Sequence, residues 1–248
     1  MSGHSKWSTI KRKKAILDAK KGKVFTKIAR EIMVAAREGG GDPSGNPRLR
    51  LALAQARSAN MPKENQERAI KKGTGAGGAA NFESFVFEGR GPAGSCFIIE
   101  GLTDNRNRTV PEIRHMLAKA GGEMVSSGAV AWMFDRKGVL EISKEAIAED
   151  ALMERALGAG AEDILDWEGS WGVLCAPADF AAVQAELADL EPTAEVRYLA
   201  KPENEKAIEG DAAIQVAKLW ALLDEHDDVQ GVFSNASLPD AVMEEYGP

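Results

Sequence analysis

The spacing of apolar side chains changes character at about residue 80. Before that point apolar positions recur every three or four residues. Phe25, Ile28, Ala29, Ile32, Ala35 and Ala36 follow one another with Lys27, Arg30 and Glu31 between them, the period of an amphipathic helix. Gly39-Gly40-Gly41-Asp42-Pro43 stops this helix. Asn46-Pro47 opens a second one, because Asn can cap free amides and Pro suits the first helical position. Its apolar stripe is Leu49, Ala52, Leu53 and Ala56. Asn60-Met61-Pro62 opens a third, which ends at Lys71-Lys72-Gly73 with cations at the negative helix end.

Beyond the glycine-rich stretch 73–80, strand-like runs dominate. The pattern predicts strands over 84–88 and 96–102. Thr109-Val110-Pro111-Glu112 reads as a capping box, and it opens a helix whose buried stripe is Ile113, Met116, Leu117 and Ala120. A strand over 129–134 completes a β-β-α-β unit. The pattern then restarts, with strands over 138–142, 164–167, 172–175 and 195–199 and helices over 149–157 and 179–190. This β-α-β-β-α-β order is that of a split-βαβ, ferredoxin-like unit. One helix (Ala213, Val216, Ala217, Trp220, Leu223) and one strand over 229–233 remain. A lone α-β pair cannot bury itself, so it is expected to return and complete the earlier unit. The fold class is therefore α+β: a helical N-terminal domain followed by two ferredoxin-like-type α+β domains, one inserted into the other. The expected parts are a basic flexible arm over 1–22, a helical nucleic-acid-binding domain over 23–78, a discontinuous α+β domain over 79–135 plus 207–248, and an inserted one over 136–206.

Charge follows the same division. Residues 1–72 hold 18 Lys and Arg against 6 Asp and Glu, a local net of about +12. The remaining residues carry about −19, and the whole chain −7. A phosphate responds to the local field and not to the sum, so the basic segment carries the functional signal. Lys6, Lys11, Arg12, Lys13 and Lys14 beside Trp7 offer phosphate contacts and a stacking surface. Lys20, Lys21, Lys23, Lys27 and Arg30 extend the set. Arg48, Arg50 and Arg57 add to it on the second helix, and Lys63, Arg68, Lys71 and Lys72 on the third. Neither a helix-turn-helix signature nor an aromatic RNA-binding pattern is present. The loop 102–109 is a second polar concentration. Asn105, Arg106 and Arg108 there precede a helix N-terminus and could meet an anion or pair with nearby carboxylates.

Other chemistry finds little support. The stretch 73–78 spells G-x-G-x-x-G, but a helix precedes it and a strand follows, the reverse of the dinucleotide-binding context. His4, His115 and His226 have no metal spacing with Cys96 and Cys175. No catalytic constellation and no cofactor or metal is implied, so an enzyme is not expected. Cys96 and Cys175 sit in apolar contexts and read as buried, reduced thiols. The acidic pairs Glu149-Asp150, Glu162-Asp163 and Asp227-Asp228 read as solvated faces. No apolar run is long enough to span a bilayer, and no apolar segment follows the basic N-terminus as a secretory signal requires. A cytoplasmic monomer with no membrane partner and no small-molecule substrate is expected.

Several long motifs carry a family resemblance. They are Gly3-His4-Ser5-Lys6-Trp7, Gly22-Lys23-Val24-Phe25-Thr26-Lys27, Gly39-Gly40-Gly41-Asp42-Pro43 and Asn46-Pro47-Arg48-Leu49-Arg50. They continue with Ala59-Asn60-Met61-Pro62-Lys63, Glu67-Arg68-Ala69-Ile70-Lys71-Lys72-Gly73-Thr74-Gly75, the run Leu102 to Thr109, and Asp227-Asp228-Val229-Gln230. Together they resemble the YebC family over nearly the whole chain. Gly128-Ala129-Val130 stands where Gly-Ser-Val is usual, and Phe233 where Tyr is common. The resemblance implies a three-domain regulator of gene expression. Members are described as DNA-binding transcriptional regulators and as ribosome-associated translation factors, and mitochondrial relatives activate translation of cytochrome c oxidase. Bacterial members are linked to relief of stalling at proline-rich stretches. The leading expectation is a translation factor that contacts rRNA or tRNA through its basic N-terminal domain. A transcriptional regulator binding promoter DNA is the alternative.

Overall fold

A computed structural model describes residues 14–75, 82–167 and 169–248. The described residues begin with helix α1, Lys14–Gly39. Residues 14–22, read from sequence as flexible arm, therefore belong to this helix, in keeping with the good helix formers Ala15, Leu17, Ala19 and Lys20. Helices α2 (Pro47–Ser58) and α3 (Lys63–Gly73) pack against α1. Asn46 sets the turn. Its Oδ1 accepts from the Leu49 amide at 3.0 Å, while its Nδ2 donates to the carbonyls of Ala35 and Gly40 at 2.7 and 2.9 Å. One buried side chain thus caps two helix ends at once. Gly39 allows this approach, since a Cβ there would lie 2.6 Å from the Asn46 amide. Ile32, Ala35, Leu49, Ala52, Ala56, Met61 and Ala69 form the bundle core.

Strands β1 (Glu83–Arg90) and β2 (Cys96–Thr103) form an antiparallel hairpin. Helix α4 follows, over Arg106–Lys119. It starts one turn earlier than the capping-box reading of Thr109 to Glu112. The Thr103 hydroxyl accepts the Asn105 amide at 2.9 Å, and the Asn105 side chain then caps the Arg108 amide at 3.2 Å. Pro111 lies inside the helix. Strand β3 is Glu123–Val125. The expected strand over 129–134 is instead a loop that closes in a short 3-10 turn, Ala131–Met133. The buried Glu88 carboxylate accepts the amides of Gly128, Val130 and Ala131 at 2.6, 2.7 and 2.9 Å. A strand would need those donors for its neighbour.

A second sheet follows from β4 (Phe134–Ser143), α5 (Glu149–Gly158), β5 (Ala161–Trp167), β6 (Ser170–Cys175), α6 (Phe180–Glu186) and β7 (Thr193–Ala200). Its spatial order is β5-β6-β4-β7, with every pairing antiparallel. This second-third-first-fourth arrangement is the ferredoxin-like one. Strand β8 (Lys206–Ala207), helix α7 (Gly210–Asp224), β9 (Val229–Ser234), β10 (Ala236–Ser237) and helix α8 (Asp240–Tyr246) end the chain. The short β8–β10 pair and α8 had no counterpart in the sequence reading.

Strand β9 pairs with β2, giving a first sheet of order β3-β1-β2-β9. The chain therefore leaves this sheet, builds the second and returns. The first sheet has the same spatial arrangement as the second, with β2, β3, β1 and β9 in the first to fourth places. The strand that would come third in chain order comes first here. Phe85, Phe97, Ile99, Ile113, Leu117, Val216 and Trp220 form its core under α4 and α7.

Strand β2 is buried on both faces. Phe97 and Ile99 point into that core, whereas Cys96 and Ile98 pack with Val130, Phe134 and Ala200 toward the second unit. Leu102 joins Val34 of α1 and Phe82. Leu51 of α2 in turn packs against the core of the second sheet. The bundle is thus seated on both sheet units.

Gly73 lies where α3 meets α1, and a Cβ there would sit 2.4 Å from the Met33 carbonyl oxygen. Gly73→Ala is expected to destabilise the bundle by about 2 kcal/mol. Hydrogen exchange should read this as faster opening over 63–73, with the exchange of β4, β6 and β7 unchanged.

Candidate nucleic-acid interface

The basic residues fall into three groups. Lys6, Trp7, Lys11, Arg12 and Lys13 lie outside the described residues. Lys14, Lys20, Lys21 and Lys23 lie on the N-terminal part of α1. The rest divide between solvent and internal contacts.

The solvent group lies on α2 and α3. Arg50 and Arg57 are exposed and seven residues apart, hence on one face of α2. Leu49, Ala52 and Ala56 turn inward. On α3, Lys71 and Lys72 are exposed in the last turn. Lys63 approaches Glu67 at 4.0 Å and Arg68 meets Glu64 at 2.9 Å, both pairs on the surface. Such pairs are worth little, and their cations are readily transferred to another anion. This helical surface can meet several phosphates at once.

In the internal group Lys27 and Arg30 hold the bundle to the first sheet unit, and Arg48 ties α2 to α1 within the bundle. Lys27 donates to the Asp224 carbonyl at 2.5 Å, at the C-terminal end of α7 where the helix dipole favours a cation. Its Nζ lies 3.4 Å from the Asp224 carboxylate. Arg30 donates to the Asp227 carbonyl and, at 2.8 Å, to Asp228 Oδ1. Its guanidinium also stands 5.4 Å from the centre of the Phe82 ring. Arg48 meets Glu31 at 2.7 Å and Glu38 at 2.5 Å. Lys27, Arg30 and Arg48 are thus engaged within the protein.

The polar loop before α4 is part of the same arrangement. Arg108 donates to Asp104 at 3.0 Å and to Asp228 Oδ2 at 2.8 Å. Arg106 lies 4.0 Å from Glu83 and 5.4 Å from the centre of the Phe87 ring. Asn105 caps α4. Of the two readings of this loop, pairing with carboxylates is the arrangement observed. Asp228 itself corrects the expectation that Asp227-Asp228 is a solvated face. Its side chain is 1% exposed, and Oδ2 also accepts from Thr109 at 2.6 Å and lies 3.1 Å from the Thr103 hydroxyl. Burial opposes its ionisation, but the Thr109 hydrogen bond and the two guanidinium groups outweigh it and lower its pKa.

Glu100, on β2 opposite Val86, behaves in the reverse way. Burial among Glu31 and Glu195, partly offset by Arg136 and Arg48, raises its pKa to about 7. Burial also pushes the Cys175 thiol up to about 11 and raises that of Cys96; both cysteines are free and buried, as expected. Among the described residues no group of three or more His, Cys, Asp and Glu could hold a metal ion. No helix among them is long and apolar enough to cross a membrane. The sequence reading missed Asp228, Glu88 and Glu100. For the two glutamates the available signal was a single carboxylate inside an apolar strand run, Phe87-Glu88-Gly89 and Ile98-Ile99-Glu100. For Asp228 it was Val229 directly after it, opening a buried strand.

A basic helical bundle docked on two ferredoxin-like sheets, one interrupting the other, is shared by proteins that regulate gene expression. Residues 5–76 match the family model for the TACO1/YebC protein N-terminal domain, and residues 82–236 the model for the TACO1/YebC second and third domain. A probable transcriptional regulatory protein of Desulforapulum autotrophicum is 50% identical, covering 98% of this chain and 99% of its own length. One from Treponema denticola is 49% identical, covering 97% and 98%. The crystal structure of a conserved hypothetical protein from Aquifex aeolicus is 42% identical and superposes with a TM-score of 0.81, covering 93% of this chain and 96% of that one. The chain belongs to the TACO1/YebC family.

Two predictions follow from the carboxylates. Asp228→Ala leaves Arg30 and Arg108 facing a vacated, largely buried site and is expected to cost about 3 kcal/mol, read as a lower denaturant midpoint. The clamp's contribution is complete above pH 3.8, the ordinary value, and is lost as pH falls through the lowered folded-state pKa. Glu100 has the opposite sign. Its folded pKa lies above the ordinary 4.5, so its ionisation costs stability as pH rises toward about 7. Glu100→Gln should raise the melting temperature at pH 8 and leave it unchanged at pH 4.

Proposed function

We propose that this protein binds RNA on the ribosome through its basic helical unit and acts as a translation factor contacting rRNA or tRNA. The observation that carries this reading is the outward row of Arg50, Arg57, Lys63, Arg68, Lys71 and Lys72 on two short helices whose other faces are buried. Cations spread over several turns contact phosphates at separated points. They suit the shape of a folded RNA better than a base sequence in a groove. The clamp at Asp228 fixes the bearing of this surface relative to the sheets. Lys27 and Arg30 then act as positioning residues, and the solvent-facing set makes the contacts. The segment 1–13 adds four more cations and Trp7 at the start of the same unit. Relief of stalling at proline-rich stretches is the activity the family resemblance implies for such a factor.

A second reading rests on a specific observation: the relatives are named probable transcriptional regulatory proteins. In that reading the same cations meet promoter DNA. Sequence preference separates the two. A promoter-binding protein must favour its site over random duplex by a large factor at physiological salt.

The test is co-sedimentation with ribosomes over a salt series. Replacing Arg50, Arg57, Lys71 and Lys72 by Gln is expected to lower association at least tenfold at 150 mM salt and to reduce the salt slope by about 3. Unchanged association contradicts the reading. Weak ribosome binding together with strong selection of one promoter fragment favours the transcriptional one.

A further inference from the structure

Three carboxyl groups are drawn into the interior, and their surroundings differ. Asp228 meets two guanidinium groups and two hydroxyls, and Glu88 takes three backbone amides. Glu100 has no such support: among the described residues no hydrogen bond or ion pair reaches its carboxyl. Its place follows from the register of β2. Ile98, two residues before it, packs with Phe134 and Ala200 toward the second sheet unit. Leu102, two residues after it, packs against Val34 of α1. Glu100 lies between them on the same face of the strand, where the bundle and both sheet units meet.

Charges reach it from both sides of the junction. Glu31 of α1 and Arg48 of α2 act on it from the bundle, and Arg136 of β4 and Glu195 of β7 from the second unit. Tyr198 of β7 also feels the Glu100 charge. Its partners on the neighbouring strands, Val86 and Gly231, are uncharged. Arg48 is already engaged with Glu31 and Glu38, and Arg136 stands 5.9 Å from the centre of the Tyr198 ring. An ionised Glu100 is therefore a third negative charge beside Glu31 and Glu195, partly out of water and with no donor to offset it. A neutral Glu100 costs much less. The contact that has to withstand this charge is slight. Among the described residues Leu51, partly buried, is the one bundle side chain that packs on the second-sheet core. The bundle is held to the first unit more firmly, through the buried Asp228.

We propose that the junction around Glu100 is a pH-operated hinge: with Glu100 neutral the second sheet unit seats against α2, and with Glu100 ionised it moves away while the bundle stays clamped to the first unit. The sign follows from linkage, because ionisation favours whichever arrangement returns the carboxylate to water. A carboxyl with a pKa of about 7 when seated and 4.5 in water raises the ratio of parted to seated molecules up to about 70-fold from pH 5 to pH 8, levelling above the seated value. The Asp228 clamp is fully ionised over this whole range, so it does not follow the change. The hinge stands whether the cations of α2 and α3 meet RNA, DNA or neither.

The experiment is single-molecule energy transfer on the full chain from pH 5 to pH 8, with pH-insensitive dyes. One pair of dyes sits on Glu64→Cys of α3 and Glu145→Cys of the second unit, both exposed positions, and the native cysteines are buried. A second pair, on Glu64→Cys and the exposed His115→Cys of α4, reports on the bundle and the first unit. The expected result is a low-transfer population of the first pair that grows with pH and levels near pH 7 to 8, and no response of the second pair. Glu100→Gln should hold the first pair at its acidic value throughout. Glu195→Gln, which removes a like charge, should move the levelling to lower pH, and Arg136→Gln should move it to higher pH. A first pair that does not respond to pH overturns the proposal. So does a response that persists in Glu100→Gln, or an equal response of the second pair.

Discussion

The carboxylate of Asp228 is the constraint on which the arrangement of this molecule rests. It lies at the start of β9, and it is met by Arg30 from the bundle and by Arg108, Thr103 and Thr109 from around the start of α4. A single buried anion therefore ties together the bundle, the first helix of the first sheet and the segment that returns to complete that sheet. Its burial would be costly alone, but hydrogen bonds and two guanidinium groups compensate the charge. Beside it, Lys27 sits on the carbonyl end of α7. These contacts divide the cations of the N-terminal region. Those on the inward side of α1 fix orientation, and those on the outward sides of α2 and α3 are left exposed to solvent.

Strand β2 is the apolar counterpart of this clamp. Its alternating side chains enter two different cores, and Leu102 at its end touches the bundle. Long-range order thus passes through one strand buried on both faces and one buried carboxylate. Glu100 on the same strand carries a pKa near 7 at the junction of all three parts. The electrostatic strain there grows as the solution becomes more alkaline, opposite in sign to the contribution of Asp228.

Much of this was legible in the sequence. Helical spacing and the Asn46-Pro47 cap gave α2 its start. The restart of the β-α-β-β-α-β order marked the second sheet, and the stranded α-β pair after residue 207 implied a return that the β2–β9 pairing bears out. The misreadings have a common physical cause. Thr109 has the chemistry of a cap, but its hydroxyl turns to Asp228, 119 residues away, and Asn105 caps the helix in its place. Residues 129–133 have strand-like composition, but Glu88, about 40 residues earlier, takes their amide donors. Asp227-Asp228 has surface composition, yet one of the pair is buried by partners from two distant helices. In each case a single long-range carboxylate overrides the local preference, and local pattern carries no record of such a partner. The basic character of α2 and α3 was legible as composition; which cations face outward was not, because this depends on where Glu31, Asp224 and Asp228 lie.

The most direct test of the central claim is a hydrogen-exchange footprint of the full chain with and without purified ribosomes. The account expects protection over 47–58 and 63–73, with little change in β4, β6 and β7. Protection confined to the sheet units, or an unchanged bundle at saturating ribosome concentration, would contradict it.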